Sequence, residues 1–433
     1  MLLRCTHCAA RRFSVSPEAI VCASCGHALP VRDGVVHAST GDEDPAIERE
    51  RQAVLEIESG DAPAGPTDFS MRELLAGPGP LRTAFLALPY DDGSAFFREN
   101  EYFRNVSQFA ATFDAVVNGL GLAPGSRVLD VGADLTWSTA RLTRLGWRGV
   151  AIDINHHLAA SRVFLDQGIA FPAVNVDMHA PVFADGVFDA VLAINALHHT
   201  HRLQPLVANL ARVLRPGGRL GFIEPYWFHE ETRAQFGASQ IEAGINENVY
   251  RLEEWHQAFV NHGLEPVTFI AAASFHGIYE KRAATAPPRT LTIEQARTDL
   301  FGRFYQATLT APPALARPVA PGATVDVPIT VQNRSQAGWC VDSQIPVFLS
   351  YHLRGAAGGA DGAAAGTTLI AFDNARTPLP GHLHPGTDTM VPLRVTAPTE
   401  PGDYLIEVDL VHEGMTWFAD RGAQTATVAM RVA

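Results

Sequence analysis

RVLDVGADLTWSTARLTRLGWRGVAIDI, residues 127–154, decides the fold. An apolar run from Val128 to Val131 meets a turn at Gly132. An amphipathic stretch follows from Trp137, and a second apolar run ends at Asp153. Strand, helix and strand in this order make a βαβ unit, whose two strands run parallel because the helix carries the chain back along one face. The rhythm continues downstream. HHLAASRVFLDQG (156–168) and LQPLVANLARVLRPGG (203–218) read as helices. FPAVNVD (171–177), VFDAVLAIN (187–195), RLGFIEP (219–225) and GLEPVTFIAA (263–272) read as strands. The expectation is an α/β Rossmann-like domain with a mostly parallel sheet covered on both faces.

Beyond this block the period changes to two. ATVDVPITVQN (323–333), IPVFLSYHLR (345–354), TDTMVPLRVTAP (387–398), GDYLIEVDLVHEG (402–414) and TATVAMRVA (425–433) alternate apolar and polar residues between Gly, Pro and Asn turns. That pattern predicts an all-β sandwich. Upstream, Cys5-x-x-Cys8 and Cys22-x-x-Cys25 stand 13 residues apart. Two such knuckles can converge four thiolates on one structural zinc ion, and a segment of this size needs a metal to fold. Disulfides within each pair are the alternative and suit an oxidising compartment. The predicted organisation is a zinc ribbon over 1–40, a helical and linker region over 41–100 and the α/β domain over 101–285. A helix with a Pro-rich linker follows over 286–316, and the β-sandwich over 317–433. GAAGGADGAAAG (355–366) reads as a flexible loop and Cys340 as a buried thiol.

Composition sets limits on the function. The chain has 433 residues, 47% hydrophobic and 18% charged, which is globular and excludes a disordered or fibrous protein. No apolar run is long enough to span a bilayer, and the start shows no apolar leader core, so the expectation is a cytoplasmic protein. With 33 basic and 46 acidic residues the net charge is −13, a field that repels polyanions and disfavours a nucleic-acid partner.

In an open parallel sheet the ligand lies beyond the carboxyl ends of the strands, where strand order reverses. Asp130 and Gly132 end the first strand, Asp153 the second and Asp177 the third. An acid at Asp153 can accept the hydroxyls of an adenosine ribose, and one at Asp177 an adenine amino group, with Met178 packed on the purine. A dinucleotide would want several glycines to bring a pyrophosphate onto a helix N-terminus. Here the loop has only Gly132.

VLDVGA (128–133), AIDI (151–154), VDMHAPVFADGVFDAVLAINALHH (176–199) and RVLRPGGRLGFIEP (212–225) together resemble the class I methyltransferases that use S-adenosylmethionine. The resemblance implies that donor-binding residues are Asp130, Gly132, Ala133, Asp134, Trp137, Asp153, Ile154, Asp177, Met178 and Asn195. It departs from the family at Asp134 and Thr136, which stand where glycines are usual. A histidine after the fourth strand, His198 or His199, is a candidate to take a proton from a hydroxyl acceptor, and Glu224 and His229 after the fifth are others. The ribbon is similar to Trm112-like and RlmA-like zinc ribbons. The C-terminal block resembles immunoglobulin-like domains appended to bacterial surface-polysaccharide enzymes, where Trp339, His352, His382, His384 and Trp417 could meet a glycan. These resemblances imply O-methylation of a sugar of a surface glycan or its precursor. RNA methylation and a non-catalytic glycan-binding or scaffold role are the alternatives. Oligomeric state is not readable from the sequence.

Overall fold

The computed structural model describes residues 2–38, 44–59, 69–230, 233, 241–242, 244–283, 289–355 and 367–433. The chain divides into two compact units, 1–267 with 275–293, and 268–274 with 294–433.

The first unit begins with four short antiparallel strands, β1 (Phe13–Val15), β2 (Ala19–Cys22), β3 (Ala28–Arg32) and β4 (Val35–His37). Asp33 and Gly34, both left-handed with φ of 51° and 79°, make the tight turn between β3 and β4. The central strands are β5 (Arg127–Val131), β6 (Arg148–Asp153), β7 (Ala173–Asn175), β8 (Phe188–Ile194) and β9 (Leu214–Glu224). They lie in the order β7-β6-β5-β8-β9, all parallel, so strand order reverses between β5 and β8. A short pair follows, β10 (Tyr226–Trp227) with β11 (Tyr250–Arg251). Beyond β9 come β13 (Phe275–Lys281), antiparallel to it, and β12 (Leu264–Ala271). Val128, Ala190, Leu192 and Phe222 are fully buried, as strands covered on both faces require.

The ribbon differs from the sequence expectation in one respect. It is not a separate domain, because β4 pairs parallel with β7, Val35 to Ala173 and His37 to Asn175, and so continues the central sheet. The predicted helical region is also part of this unit. Helix α1 (Pro45–Ser59) starts where Asp44 Oδ1 accepts the Ala46 amide at 2.9 Å. Helices α2 (Met71–Leu75), α3 (Pro80–Ala87), α4 (Phe96–Glu99), α5 (Glu101–Gln108) and α6 (Ala110–Leu120) follow. Leu74, Phe85, Phe103, Phe113 and Leu120 share one apolar cluster with Val128, Leu192 and Ile278 of the sheet. The linker expected within 41–100 is thus helical in part, since α2 and α3 fall in that region, while 60–68 lie outside the described residues. The remaining helices are α7 (Trp137–Arg144), α8 (Ser161–Leu165), α9 (Leu203–Val213) and α10 (Leu252–Asn261).

The second unit opens with α11 (Ile293–Phe301) and β14 (Ala307–Thr310). Strand β14 pairs antiparallel with β15 (Thr324–Asn333), which pairs with β20 (Asp388–Thr396). The helix expected within 286–316 is α11, but the linker expected with it is in part the strand β14; residues 284–288 lie outside the described set. A second antiparallel sheet is centred on β17 (Val347–Gly355) and β21 (Gly402–His412). Val327, Ile329, Val391 and Leu393 from one sheet, and Leu349, Ile406 and Val408 from the other, are fully buried at alternate positions. Tyr351 of β17 accepts the Thr396 amide of β20 at 3.1 Å, a bond between the sheets. Trp339 is fully buried, with its indole donating to the Phe304 carbonyl at 3.0 Å, and Cys340 is buried as expected. His352 and Trp417 are also buried, whereas His382 and His384 are exposed. The loop at 356–366 lies outside the described residues.

Candidate functional site

Strand β5 delivers Asp130 to the carboxyl edge of the sheet, where it is buried and accepts from Ser138 Oγ at 2.6 Å and from Thr139 Oγ1. Burial pushes its carboxyl up to about 6 against the pull of those two hydroxyls. The loop after it places three of five residues in the left-handed region, Gly132 (φ 65°), Asp134 (φ 41°) and Thr136 (φ 62°). The backbone path is therefore one that glycines suit, with Asp and Thr occupying two of the three positions. Gly132 is required twice over, because a Cβ there would stand 2.4 Å from the Cβ of Ala196.

Asp153, at the end of β6, accepts the Asp134 amide on Oδ2 at 2.8 Å and the Asn155 amide on Oδ1 at 3.0 Å. Burial and the neighbouring Asp134 charge raise its carboxyl above the ordinary range. Asp134 in turn contacts His157 Nδ1. Burial opposes the Asp134 charge, but the imidazole outweighs this and holds the carboxyl low. Asp177, after β7, accepts from the amide and Nδ1 of His179, both on Oδ1, while His179 Nε2 meets Thr200 Oγ1 at 2.8 Å. Here too burial works against the charge, and the His179 bonds hold Asp177 below its usual value.

These groups ring one cavity of about 400 Å³. All ten residues expected to hold the donor line it: Asp130, Gly132, Ala133, Asp134 and Trp137 from the first turn, Asp153 and Ile154 from the second, Asp177 and Met178 from the third, and Asn195 from the fourth. Asn195 is itself left-handed, with φ 47°. The facing wall comes from two helices. Ile47, Glu50 and Val54 lie along one stripe of α1, and Tyr102, Asn105, Val106 and Phe109 along one stripe of α5 and its cap, with Ile245 beside them.

The four catalytic candidates separate. His199 lines the cavity. His198 does not: it is buried, with Nδ1 2.8 Å from Glu224 Oε2 and Nε2 3.1 Å from Glu247 Oε2. Burial alone would lower its affinity for a proton, but the two carboxylates overcome this and push it up to about 9. A nitrogen on each side facing a carboxylate leaves it poorly placed to take a proton from an acceptor. Glu224 is fully buried and holds the Leu197–His199 turn, accepting the amides of Ala196 and Leu197 on Oε1 at 3.1 and 2.9 Å. Its part in the site is to position that turn. His229 is exposed and does not line the cavity. The sequence reading did not single out Glu50, Tyr102, His157 or Glu247. Glu50 sits in a run of charges, ERERQ, that reads as a solvated face, and only the fold turns it inward.

The four ribbon cysteines form a second cluster. Cys5 and Cys25 Sγ lie 3.7 Å apart, Cys8 and Cys22 Sγ 3.6 Å, and none is in a disulfide. Four thiolates about 2.3 Å from one tetrahedral zinc would be about 3.8 Å apart, so the donor set and its spacing fit that ion. The two knuckles match in backbone: the Ala9 amide donates to Cys5 O and the Gly26 amide to Cys22 O, each at 2.9 Å.

A family model described as a methyltransferase domain matches residues 129–222. A demethylmenaquinone methyltransferase of Tropheryma whipplei is 38% identical over 104 residues, covering 23% of this chain and 42% of that protein. One of Mycobacterium tuberculosis is 35% identical over 130 residues, covering 30% and 52%. The chain thus spans about half the length of the curated relatives it matches. Among solved structures, a geranyl diphosphate C-methyltransferase of Streptomyces coelicolor, with Mg2+, geranyl diphosphate and S-adenosyl-L-homocysteine, aligns with a TM-score of 0.41 at 17% identity. That alignment covers 55% of this chain and 98% of the other. The stretch that builds the floor of the cavity, residues 129–222, is a methyltransferase domain of the S-adenosylmethionine-dependent class.

Proposed function

We propose that the protein moves a methyl group from S-adenosylmethionine to an acceptor enclosed between the strand ends and helices α1 and α5. The observation that carries this is that three acids ending three successive strands, Asp130, Asp153 and Asp177, open onto one cavity with the turn at Gly132. The donor supplies a methyl carbon on a positively charged sulfur, already a good electrophile. The protein's part is then mainly to hold two reactants in line and exclude water. Asp153 is placed to accept ribose hydroxyls, Asp177 and Met178 to border the purine, and Trp137 to wall the methionine portion. His199 is the titratable group best placed on the acceptor side.

The acceptor is argued from the facing wall, which lies outside the matched stretch. Ile47, Val54, Val106, Phe109 and Ile245 present apolar surface, broken by Glu50, Asn105 and His199. Such a wall suits a compact acceptor with an apolar body and one polar group directed at His199. A sugar of a glycan or its precursor is the second reading. It rests on the second unit, whose two antiparallel sheets suit an immunoglobulin-like sandwich of the kind appended to polysaccharide enzymes. We also assign one structural zinc ion to Cys5, Cys8, Cys22 and Cys25.

The test is incubation of the protein with isotope-labelled donor and, separately, a bacterial lipid extract and a glycan extract, read by mass spectrometry. Label in a lipid-soluble product supports the apolar acceptor, and label in a sugar the glycan. No heat with S-adenosylhomocysteine in calorimetry, together with no label in either extract, overturns the methyltransferase reading.

A further inference from the structure

We propose that His198, His199 and Glu247 form a binding site for one divalent transition-metal cation at the acceptor end of the cavity, separate from the four-cysteine cluster. One ligand atom from each residue can be chosen so that all lie within 4.8 Å of one another. Bonds of about 2.1 Å to nitrogen and oxygen set ligand edges of roughly 3–4 Å, so small side-chain shifts bring the three onto one ion.

Three observations point to a ligand. First, His198 Nδ1 faces the Glu224 carboxylate at 2.8 Å while Nε2 points at Glu247. A carboxylate behind one ring nitrogen fixes the ring and its tautomer, the usual support of a metal-bound histidine, and here sets the other nitrogen against the Glu247 carboxylate that would share the ion. Second, His199 Nδ1 is buried and makes no hydrogen bond, although it lies 3.1 Å from Glu50 Oε1. Buried polar atoms normally find a partner, and an orphan within this cluster marks a place for one. Third, three carboxylates, Glu50, Glu224 and Glu247, are nine-tenths or more buried, and their ion partners among the described residues are these two histidines. A dication relieves that excess negative charge.

The site is also held in place. Glu224 locks the 197–199 turn, the Asn248 amide donates to His198 O at 3.0 Å, and Asn246 Nδ2 fixes Glu50 Oε2 at 2.6 Å. Two imidazoles with a carboxylate favour Zn2+, Co2+, Fe2+ or Mn2+ over Mg2+ or Ca2+, which prefer oxygen alone. The role of the ion rests on the methyl-transfer reading: it polarises an acceptor hydroxyl. The hydroxyl proton would leave to water as an oxygen electron pair forms the bond to the methyl carbon and the carbon–sulfur pair returns to sulfur.

The test uses the full chain with its ribbon metal left in place, titrated with Co2+ and with Mn2+ and analysed for metal per chain. The expected result is one further equivalent, with Co2+ absorption typical of nitrogen and oxygen ligands and no sulfur charge-transfer band. Glu247→Gln and His199→Asn, checked for folding by circular dichroism, should each weaken it at least tenfold. No further equivalent in the wild type, a spectrum showing sulfur ligation, or binding that survives both substitutions overturns the site. Calorimetry with S-adenosylhomocysteine separates the two claims: donor heat without the extra metal defeats the site alone, and the extra metal without donor heat defeats the methyl-transfer reading alone.

Discussion

The backbone amide of Asp134 donates to Oδ2 of Asp153 at 2.8 Å, and by that bond the turn after β5 is fastened to the end of β6. The side chain of Asp134 turns the other way, to His157. One residue thus ties together the two segments proposed to hold the two halves of the donor, and it does so from a left-handed backbone.

Asp153→Ala removes an acceptor for that amide and for a ribose hydroxyl. A charge-assisted hydrogen bond of this kind is worth about 1.5–3 kcal/mol, roughly ten- to a hundredfold in affinity. Calorimetry with S-adenosylhomocysteine should show that loss in a protein that still unfolds cooperatively. Unchanged affinity would remove Asp153 from the donor site.

Gly132→Ala should be more damaging than its size suggests. The added methyl meets Ala196 Cβ at 2.4 Å, and the backbone is held at a φ of 65°. Donor binding should fall at least a hundredfold, by about 3 kcal/mol or more. The double variant Gly132→Ala, Ala196→Gly relieves the clash and should recover part of the loss; no recovery would mean that backbone strain alone is responsible.

Thr136→Gly should do the opposite and stabilise the protein. Thr136 is β-branched, stands at a φ of 62°, and buries a hydroxyl that makes no hydrogen bond. Relief of a left-handed non-glycine is worth about 1–2 kcal/mol, less the entropy that glycine brings to the unfolded chain. The urea midpoint should rise; a fall would show that Thr136 makes packing contacts worth more than its strain.

Much of this was legible in the sequence, and the reason is physical. Apolar strands, a turn residue and an acid at the strand end are local signals, so β5 to β9, Gly132 and the acids Asp130, Asp153 and Asp177 follow from spacing, while the rest of the donor-side set was implied by the family resemblance. What spacing does not carry is which face of a charged helix turns inward. Glu50 looks like its solvated neighbours, and Glu247 lies in a polar stretch whose path is set by the Tyr250 hydroxyl on Thr200 O at 2.5 Å. The helix and Pro-rich linker expected over 286–316 also left out 307–310 as a strand, which pairing with β15 alone makes. The His198-His199 pair shows the same limit, since adjacent histidines take different roles once Glu224 claims one of them.

His412 makes acid stability testable. It is buried in the second unit, between the Ile345 carbonyl at 3.1 Å and the Tyr305 hydroxyl at 3.2 Å, and burial lowers it to about 4. A histidine whose folded value lies below its unfolded value of about 6.5 stays neutral in the native state while the unfolded chain takes up the proton. Its contribution is complete above pH 6.5 and is lost as pH falls toward 4, in all about 3 kcal/mol. Denaturant unfolding of the full chain at pH 7, 5.5 and 4.5 should show the wild type losing more stability than His412→Phe. Parallel losses would assign the acid sensitivity elsewhere.

Metal analysis of freshly reduced protein should find one zinc per chain released by Cys22→Ser, with no change on alkylating Cys340. A zinc-free protein with intact thiols would overturn the ribbon assignment.

The pairing of β4 with β7 has a consequence for solubility. Strand β7 would otherwise end the parallel sheet with its Ala173–Asn175 backbone groups open to solvent, a template on which another chain could add. The ribbon thus works as a guard on that border. Any treatment that unravels it, whether chelation, thiol oxidation or trimming of the first 38 residues, should make the protein self-associate through β7, even while the cavity floor stays folded.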